Sequence, residues 1–277
     1  MFSKEPGPIG IFDSGYGGLT IFDKIHKAMP EYDYIYLGDN ARTPYGTRSF
    51  EVVYHFTRQA LLHLFKEGCQ LVILACNTAS AKALRTVQMS DLPTWDNSRR
   101  VLGVIRPTVE ILDDLSETKH IGILGTTGTI SSRSYELEVA KMFPHIKVIG
   151  QSCPMWVPLV ENNEFSKDGA DYFVKKYLDE ILTKDLQIDT LVLGCTHYPL
   201  LEAKIKKHIP SNIKLFSQGE RVAESLKDYL SRHAEIDRKL TKQGSSRFMT
   251  TESAEKFSEA ASIFLSCNIN VEQVSIG

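Results

Sequence analysis

Short apolar runs alternate along the chain with longer stretches whose apolar residues recur every three or four positions. The runs are "PIGIF" (8–12), "YDYIYLG" (32–38), "LVILA" (71–75), "VLGVI" (101–105), "HIGILG" (120–125), "IKVIG" (146–150), "TLVLG" (190–194) and "NIKLF" (212–216). Continuous runs of this kind fit strands buried on both faces of a sheet. Between them, helical spacing predicts helices over 17–29, 49–68, 78–89, 130–143, 168–182, 200–208 and 219–231. Ser49 suits a helix cap and Gly68 a stop. A polar loop at 241–247 precedes a last strand–helix–strand unit.

Strand and helix in alternation imply βαβ crossovers, parallel sheets and helices on both faces. The pattern also repeats. "IGIFDSGYGG" (9–18) is echoed by "IGILGTTGT" (121–129), and "LVILACNTA" (71–79) by "LVLGCTHYP" (191–199). The expected fold is therefore two similar parallel-sheet α/β domains related by pseudo-twofold symmetry, with a site in the cleft between them. Residues 1–100 with 211–277 are expected to make the first domain and 101–210 the second.

Composition narrows the classes. With 42% hydrophobic and 24% charged residues the chain is an ordinary globular one, and a net charge of −2 gives no general pull toward nucleic acid or an anionic membrane. No apolar run approaches the roughly 20 residues that cross a bilayer, and "MFSKEPGPIG" lacks the apolar stretch of a signal peptide, so a cytoplasmic protein is expected. Five cysteines, Cys69, Cys76, Cys153, Cys195 and Cys267, are odd in number, widely spaced and without a CxxC pair. Neither a disulfide framework nor a structural zinc site is expected from them.

Chemistry concentrates where strands give way to helices. "DSGYGG", "CNTA", "GTTGT" and "CTHYP" all fall at such corners, the place where open α/β sheets bind ligands. "FDSGYGG" has Thr20 where a dinucleotide fingerprint needs its third glycine, and no Walker A lysine follows; a carboxylate site remains open. Asp13 reads equally as a cap and as a site residue. Cys69, Cys153 and Cys267 read as packing. Cys76 and Cys195 differ, since each stands at a helix start, where backbone amides favour a thiolate. Two such thiols in related halves leave four chemistries open: a disulfide relay, a metal held with His197, nucleophilic catalysis by one cysteine, or proton removal on one face of a carbon with delivery on the other. His197 and Asp13 could each assist a thiol.

"GIFDSGYGGLT", "YLGDNARTPYGTRS", "ILACNTASA", "GILGTTGTI" and "LVLGCTHYPLL" together, and in this order, resemble the signature segments of the bacterial glutamate racemases, within the aspartate/glutamate racemase superfamily. The resemblance covers residues from about 9 to 201. It implies a cofactor-independent isomerase that interconverts L- and D-glutamate for peptidoglycan synthesis, with glutamate as its small-molecule partner and often a homodimer. It implies that Cys195 takes the α-proton of L-glutamate and Cys76 returns one, assisted by Asp13, His197 and Glu161. Substrate contacts are implied at Ser14, Pro44, Tyr45, Gly46, Asn77, Thr78, Thr126, Thr129 and Thr196, and no metal. An aspartate racemase or a non-catalytic amino-acid-binding relative would share much of this pattern. The chain departs from the family's pattern at Ser217, where an Asp is common, and at Thr108, where a small residue is expected.

Overall fold

The computed structural model describes residues 2–265 and 269–276; Cys267 lies outside them. Among the described residues, ten strands make two all-parallel sheets. The strands are β1 (Ile9–Asp13), β2 (Tyr34–Gly38), β3 (Leu71–Leu74), β4 (Arg100–Gly103), β5 (His120–Gly125), β6 (Lys147–Ser152), β7 (Thr190–Gly194), β8 (Lys214–Ser217), β9 (Ser246–Thr250) and β10 (Val271–Gln273). The first sheet runs β10-β9-β2-β1-β3-β4 and the second β6-β5-β7-β8.

The repeat is visible in this order. β2-β1-β3-β4 and β6-β5-β7-β8 are the same arrangement, with β9 and β10 added outside β2. The central strands β1, β3 and β7 are buried along their whole length, which is why they read as unbroken apolar runs. Gly10 and Gly122 hold equivalent positions in β1 and β5. A Cβ at Gly122 would sit 2.5 Å from Leu191 and 2.8 Å from Ile181, so a helix packs there closer than a side chain allows. Alternate side chains feed separate cores on the two faces of each sheet: Ile9, Ile11 and Ile73 on one face of the first, Phe12, Val72 and Leu74 on the other.

The ladders assign two strands that lie near the expected domain limits. β4 pairs with β3, Leu71 opposite Arg100, and so belongs with the first sheet although it runs past residue 100. β8 pairs with β7, Thr190 opposite Lys214, and belongs with the second although it follows 211. Each half needs a fourth parallel strand to cover the outer edge of the strand that leads into its cysteine, and the next strand in the chain supplies it.

Local differences are smaller. Of the run 101–105, Ile105 turns out of the sheet and starts the helix Ile105–Val109. The helix expected over 78–89 stops at Lys82 and continues as short segments through a π turn at Val87–Asp91. The helix expected over 130–143 is split at Arg133, whose φ is 56°. The polar segment 241–247 runs into β9, because Tyr34 opposite Ser246 gives that polar residue a ladder partner.

Candidate active site

The four corners converge at the carboxyl ends of β1, β3, β5 and β7. In the first half the β1–β3 ladder reaches Phe12 opposite Leu74, and the Ala75 amide then donates to the Phe12 carbonyl at 2.8 Å, which sets Asp13 and Ser14 beside Cys76. In the second half Gly125 pairs with Gly194, setting Thr126 beside Cys195. Between them lies a cleft of about 640 Å³, open to solvent at its mouth. Ser14, Pro44, Tyr45, Gly46, Cys76, Asn77, Thr78, Thr126, Cys195, Thr196 and His197 line it, so both cysteines face one space. Asp13, Glu161 and Thr129 stand behind that lining.

The two thiols sit in unlike surroundings. Cys76 caps the helix Asn77–Lys82, accepting the Ala79 amide at 3.4 Å and donating to Ser14 Oγ at 3.5 Å. Burial, then the negative charge of Asp13, pushes its pKa up to about 12, against the pull of the Ser14 and Ala79 bonds. Cys76 is held as a protonated thiol. Cys195 has a different neighbour: its Sγ lies 3.8 Å from His197 Nδ1, and His197 Nε2 lies 3.2 Å from Glu161 Oε1. Burial lowers the pKa of this imidazole, but the bonds to Cys195 and Glu161 outweigh it and raise the pKa to about 10. His197 is thus a buried cation between a thiol and a carboxylate.

Asp13 is fully buried at the end of β1. It accepts the Gly15 amide at 3.0 Å and the Thr196 hydroxyl at 3.5 Å, so it touches the loops of both cysteines' halves. Burial raises its pKa, and the His197 charge and the amides of Gly18 and Gly15 oppose that rise.

Hydroxyls stitch the halves together. Thr78 Oγ1 lies 2.9 Å from Thr126 Oγ1 and 3.3 Å from Thr129 Oγ1, and Thr126 and Thr129 are 3.1 Å apart. Thr129 therefore sets the hydroxyls of Thr78 and Thr126 from behind. Thr20 Oγ1 shares its proton between the Gly17 carbonyl at 2.8 Å and, across the same junction, the Thr196 carbonyl at 3.0 Å. Tyr45 turns its hydroxyl away from the cleft onto the buried Asp39, which also takes Arg42 Nε. What Tyr45 offers the cleft is its wall and backbone. Gly46 lies against Thr126, where a Cβ would come within 2.7 Å of the Thr126 Cβ.

Space at Gly17 is tighter still. A Cβ there would stand 2.4 Å from both His197 Nδ1 and Thr196 Oγ1. Gly17→Ala is therefore expected to push His197 off Cys195 and cost at least about tenfold in turnover, a charge-assisted contact being worth about 1.5–3 kcal/mol. Full turnover in a folded Gly17→Ala protein would show that this contact is dispensable.

Thr43, Thr47, Thr127, Cys153, Pro154, Val157 and Pro158 complete the lining and were not singled out from the sequence. Thr43 and Thr47 flank Pro44–Gly46 and share its signal. Cys153 follows the end of β6 much as Cys76 and Cys195 follow β3 and β7, a signal that could have found it. Val157 and Pro158 carry no such mark; only packing brings their helix, Trp156–Glu161, to the cleft. Among the described residues no three His, Cys, Asp or Glu side chains converge as a metal site needs.

A doubly repeated parallel α/β fold with a thiol at the equivalent strand end of each half in a shared cleft defines a class of protein, one built to act on both faces of a small molecule. The Asp/Glu/Hydantoin racemase family model matches residues 9–223. A glutamate racemase of Ruegeria sp. (strain TM1040) is 38% identical over 274 residues, covering 95% of this chain and 98% of that protein. Among solved structures, the glutamate racemase isoform RacE1 of Bacillus anthracis superposes with a TM-score of 0.89 at 34% identity, covering 98% of each chain. The glutamate racemase of Francisella tularensis subsp. tularensis SCHU S4, solved in complex with D-glutamate, does so with a TM-score of 0.87 at 32% identity and the same coverage. The chain belongs to the Asp/Glu/Hydantoin racemase family and is an isomerase.

Proposed function

We propose that this enzyme interconverts L- and D-glutamate by passing the α-proton between two thiols. The observation that carries the reading is the pair of cysteines at equivalent strand ends in one cleft, one beside a cation and one beside an anion. Cys195 as thiolate takes the α-proton of L-glutamate. The electron pair left on the α-carbon spreads into the adjacent carboxylate, and the Cys76 thiol protonates the opposite face. Cys76 is then the thiolate and Cys195 the thiol, ready for the reverse direction. His197 supports the charge on Cys195, with Glu161 holding the imidazole. Asp13 tunes Cys76.

Ser14, Asn77, Thr78, Thr126 and Thr196 offer hydroxyls and amides to the two carboxylates of the substrate, and none of the lining side chains is a lysine or arginine. Neutral donors fixed by the fold stabilise developing charge without reorganising, and the narrow cleft limits water at the carbanion. In this reading D-glutamate serves peptidoglycan synthesis, the enzyme works in the cytoplasm, and a homodimer fits the family resemblance. Among the described residues no helix is long and apolar enough to cross a membrane.

The test is L-glutamate in deuterated water with purified enzyme and no added cofactor. D-Glutamate carrying an α-deuteron should accumulate until the enantiomers are equal, since they have equal free energy in an achiral solvent. Faster epimerisation of aspartate would replace the glutamate reading with its aspartate counterpart. An absolute need for added pyridoxal phosphate would end the two-thiol mechanism.

A further inference from the structure

Gln218 follows β8 and precedes the helix Gly219–Arg232. Its buried amide closes a ring with two other buried side chains, Asn77 and Tyr135, and reaches a third, Thr108, that stands just outside the ring. Asn77 Nδ2 donates to Gln218 Oε1 at 2.7 Å. Gln218 Nε2 donates to Thr108 Oγ1 at 2.7 Å and to the Tyr135 hydroxyl at 2.7 Å. The Tyr135 hydroxyl donates to Asn77 Oδ1 at 2.7 Å. The four residues follow β3, β4, β5 and β8, so the ring spans both sheets. Of the four, only Asn77 lines the cleft, one residue past Cys76.

The ring has a direction, and Thr108 sets it. A threonine hydroxyl has one proton, and Thr108 gives it to the Val104 carbonyl at 2.8 Å. Toward Gln218 it can therefore only accept, which turns the Gln218 nitrogen to Thr108 and the Gln218 carbonyl to Asn77. Asn77 must answer with its own nitrogen. Its carbonyl then takes the Tyr135 proton, while Tyr135 accepts the second proton of Gln218. Were the Gln218 amide reversed, Thr108 would have to give up the Val104 carbonyl or leave two acceptors facing each other, a costly state for buried groups.

One proton of the Asn77 nitrogen remains outside the ring. We propose that Thr108 and Gln218 are positioning residues that fix the Asn77 amide so that this N–H, and not the amide carbonyl, serves a substrate carboxylate. The inference rests on the glutamate reading above. A reversed Asn77 would present a lone pair to a carboxylate in place of a donor.

Steady-state racemisation in both directions tests it, with wild type, Thr108→Val, Thr108→Ser and Tyr135→Phe compared side by side. Valine keeps the shape of threonine and removes the hydroxyl, both the acceptor for Gln218 and the donor to the Val104 carbonyl. Tyr135→Phe removes the proton given to the Asn77 carbonyl. Each is expected to raise KM for both enantiomers about tenfold, the size of one charge-assisted bond, with kcat near wild type, as for a group that binds ground and transition states alike. Thr108→Ser should restore KM. A purely structural role would lower the melting temperature and leave KM alone. An active wild type with unshifted KM in folded Thr108→Val and Tyr135→Phe overturns the ring inference by itself. A wild type that leaves glutamate unchanged removes the reading beneath it as well. Should Thr108→Val not fold, Tyr135→Phe decides alone.

Discussion

Cys76→Ala is expected to stop racemisation in both directions, with kcat falling by about a thousandfold, the usual scale of a lost acid/base group. One-sided chemistry should survive. With Cys195 and His197 intact, the α-proton of L-glutamate can still be taken and returned on the same face, so deuterium enters L-glutamate without inversion. Cys195→Ala should show the mirror image, wash-in at D-glutamate only. NMR of the α-position in deuterated water, with chiral separation of the product, reads both results. Racemisation by Cys76→Ala at the wild-type rate would sink the two-thiol mechanism. Wash-in at the same enantiomer in both variants would reverse or abolish the assignment of faces.

His197→Asn should come next in size. The imidazole is the sole cation beside Cys195 among the contacts described, bridging it to Glu161 at 3.8 Å and 3.2 Å. Asparagine keeps a hydrogen-bonding group there and loses the charge. The step in which Cys195 acts as base should slow by about ten- to a hundredfold, matching about 1.5–3 kcal/mol for a charged partner. The step in which Cys76 acts as base should slow less, and equal effects on the two single-step rates would break the pairing. Stability carries an independent sign. The native pKa of His197 is raised from its ordinary 6.5 to about 10. The stabilisation from the charged imidazole is therefore complete below the ordinary value, declines as pH climbs, and is gone above about 10. Thermal unfolding of the wild type should weaken across that window, and His197→Asn should lack that part of the slope. Parallel slopes in the two proteins would mean that the buried imidazole is uncharged.

The parallel fold and the repeat were legible in sequence because β1, β3, β5 and β7 are central strands. Burial on both faces forces unbroken apolar runs, and the corners after them must be small or polar to turn the chain into a helix. The edge strands were harder. β8 has Lys214 exposed and the rest half-buried, and β4 begins at a half-buried Arg100, so neither run says which sheet it joins. Cys153 was passed over because its corner follows β6, an edge strand with a weaker apolar run than its neighbours.

The sequence by itself determined the alternation of strand and helix, the doubling of the unit, and the placing of Cys76 and Cys195 at equivalent corners. Those features are local: they follow from burial and from which residues can leave a strand and start a helix. The tertiary structure decided which strand completes each sheet and that both thiols open on one cleft. It also decided that Asp13 lies between the halves, its charge acting on Cys76 and its carboxylate bonded to Thr196, while His197 and Glu161 stand with Cys195. The polarity of the Asn77 amide is likewise tertiary, since it runs through Thr108, Tyr135 and Gln218 from segments far apart in the chain. Charge, burial and hydrogen-bond direction are properties of neighbours in space, and the spacing of residues along a chain does not carry them.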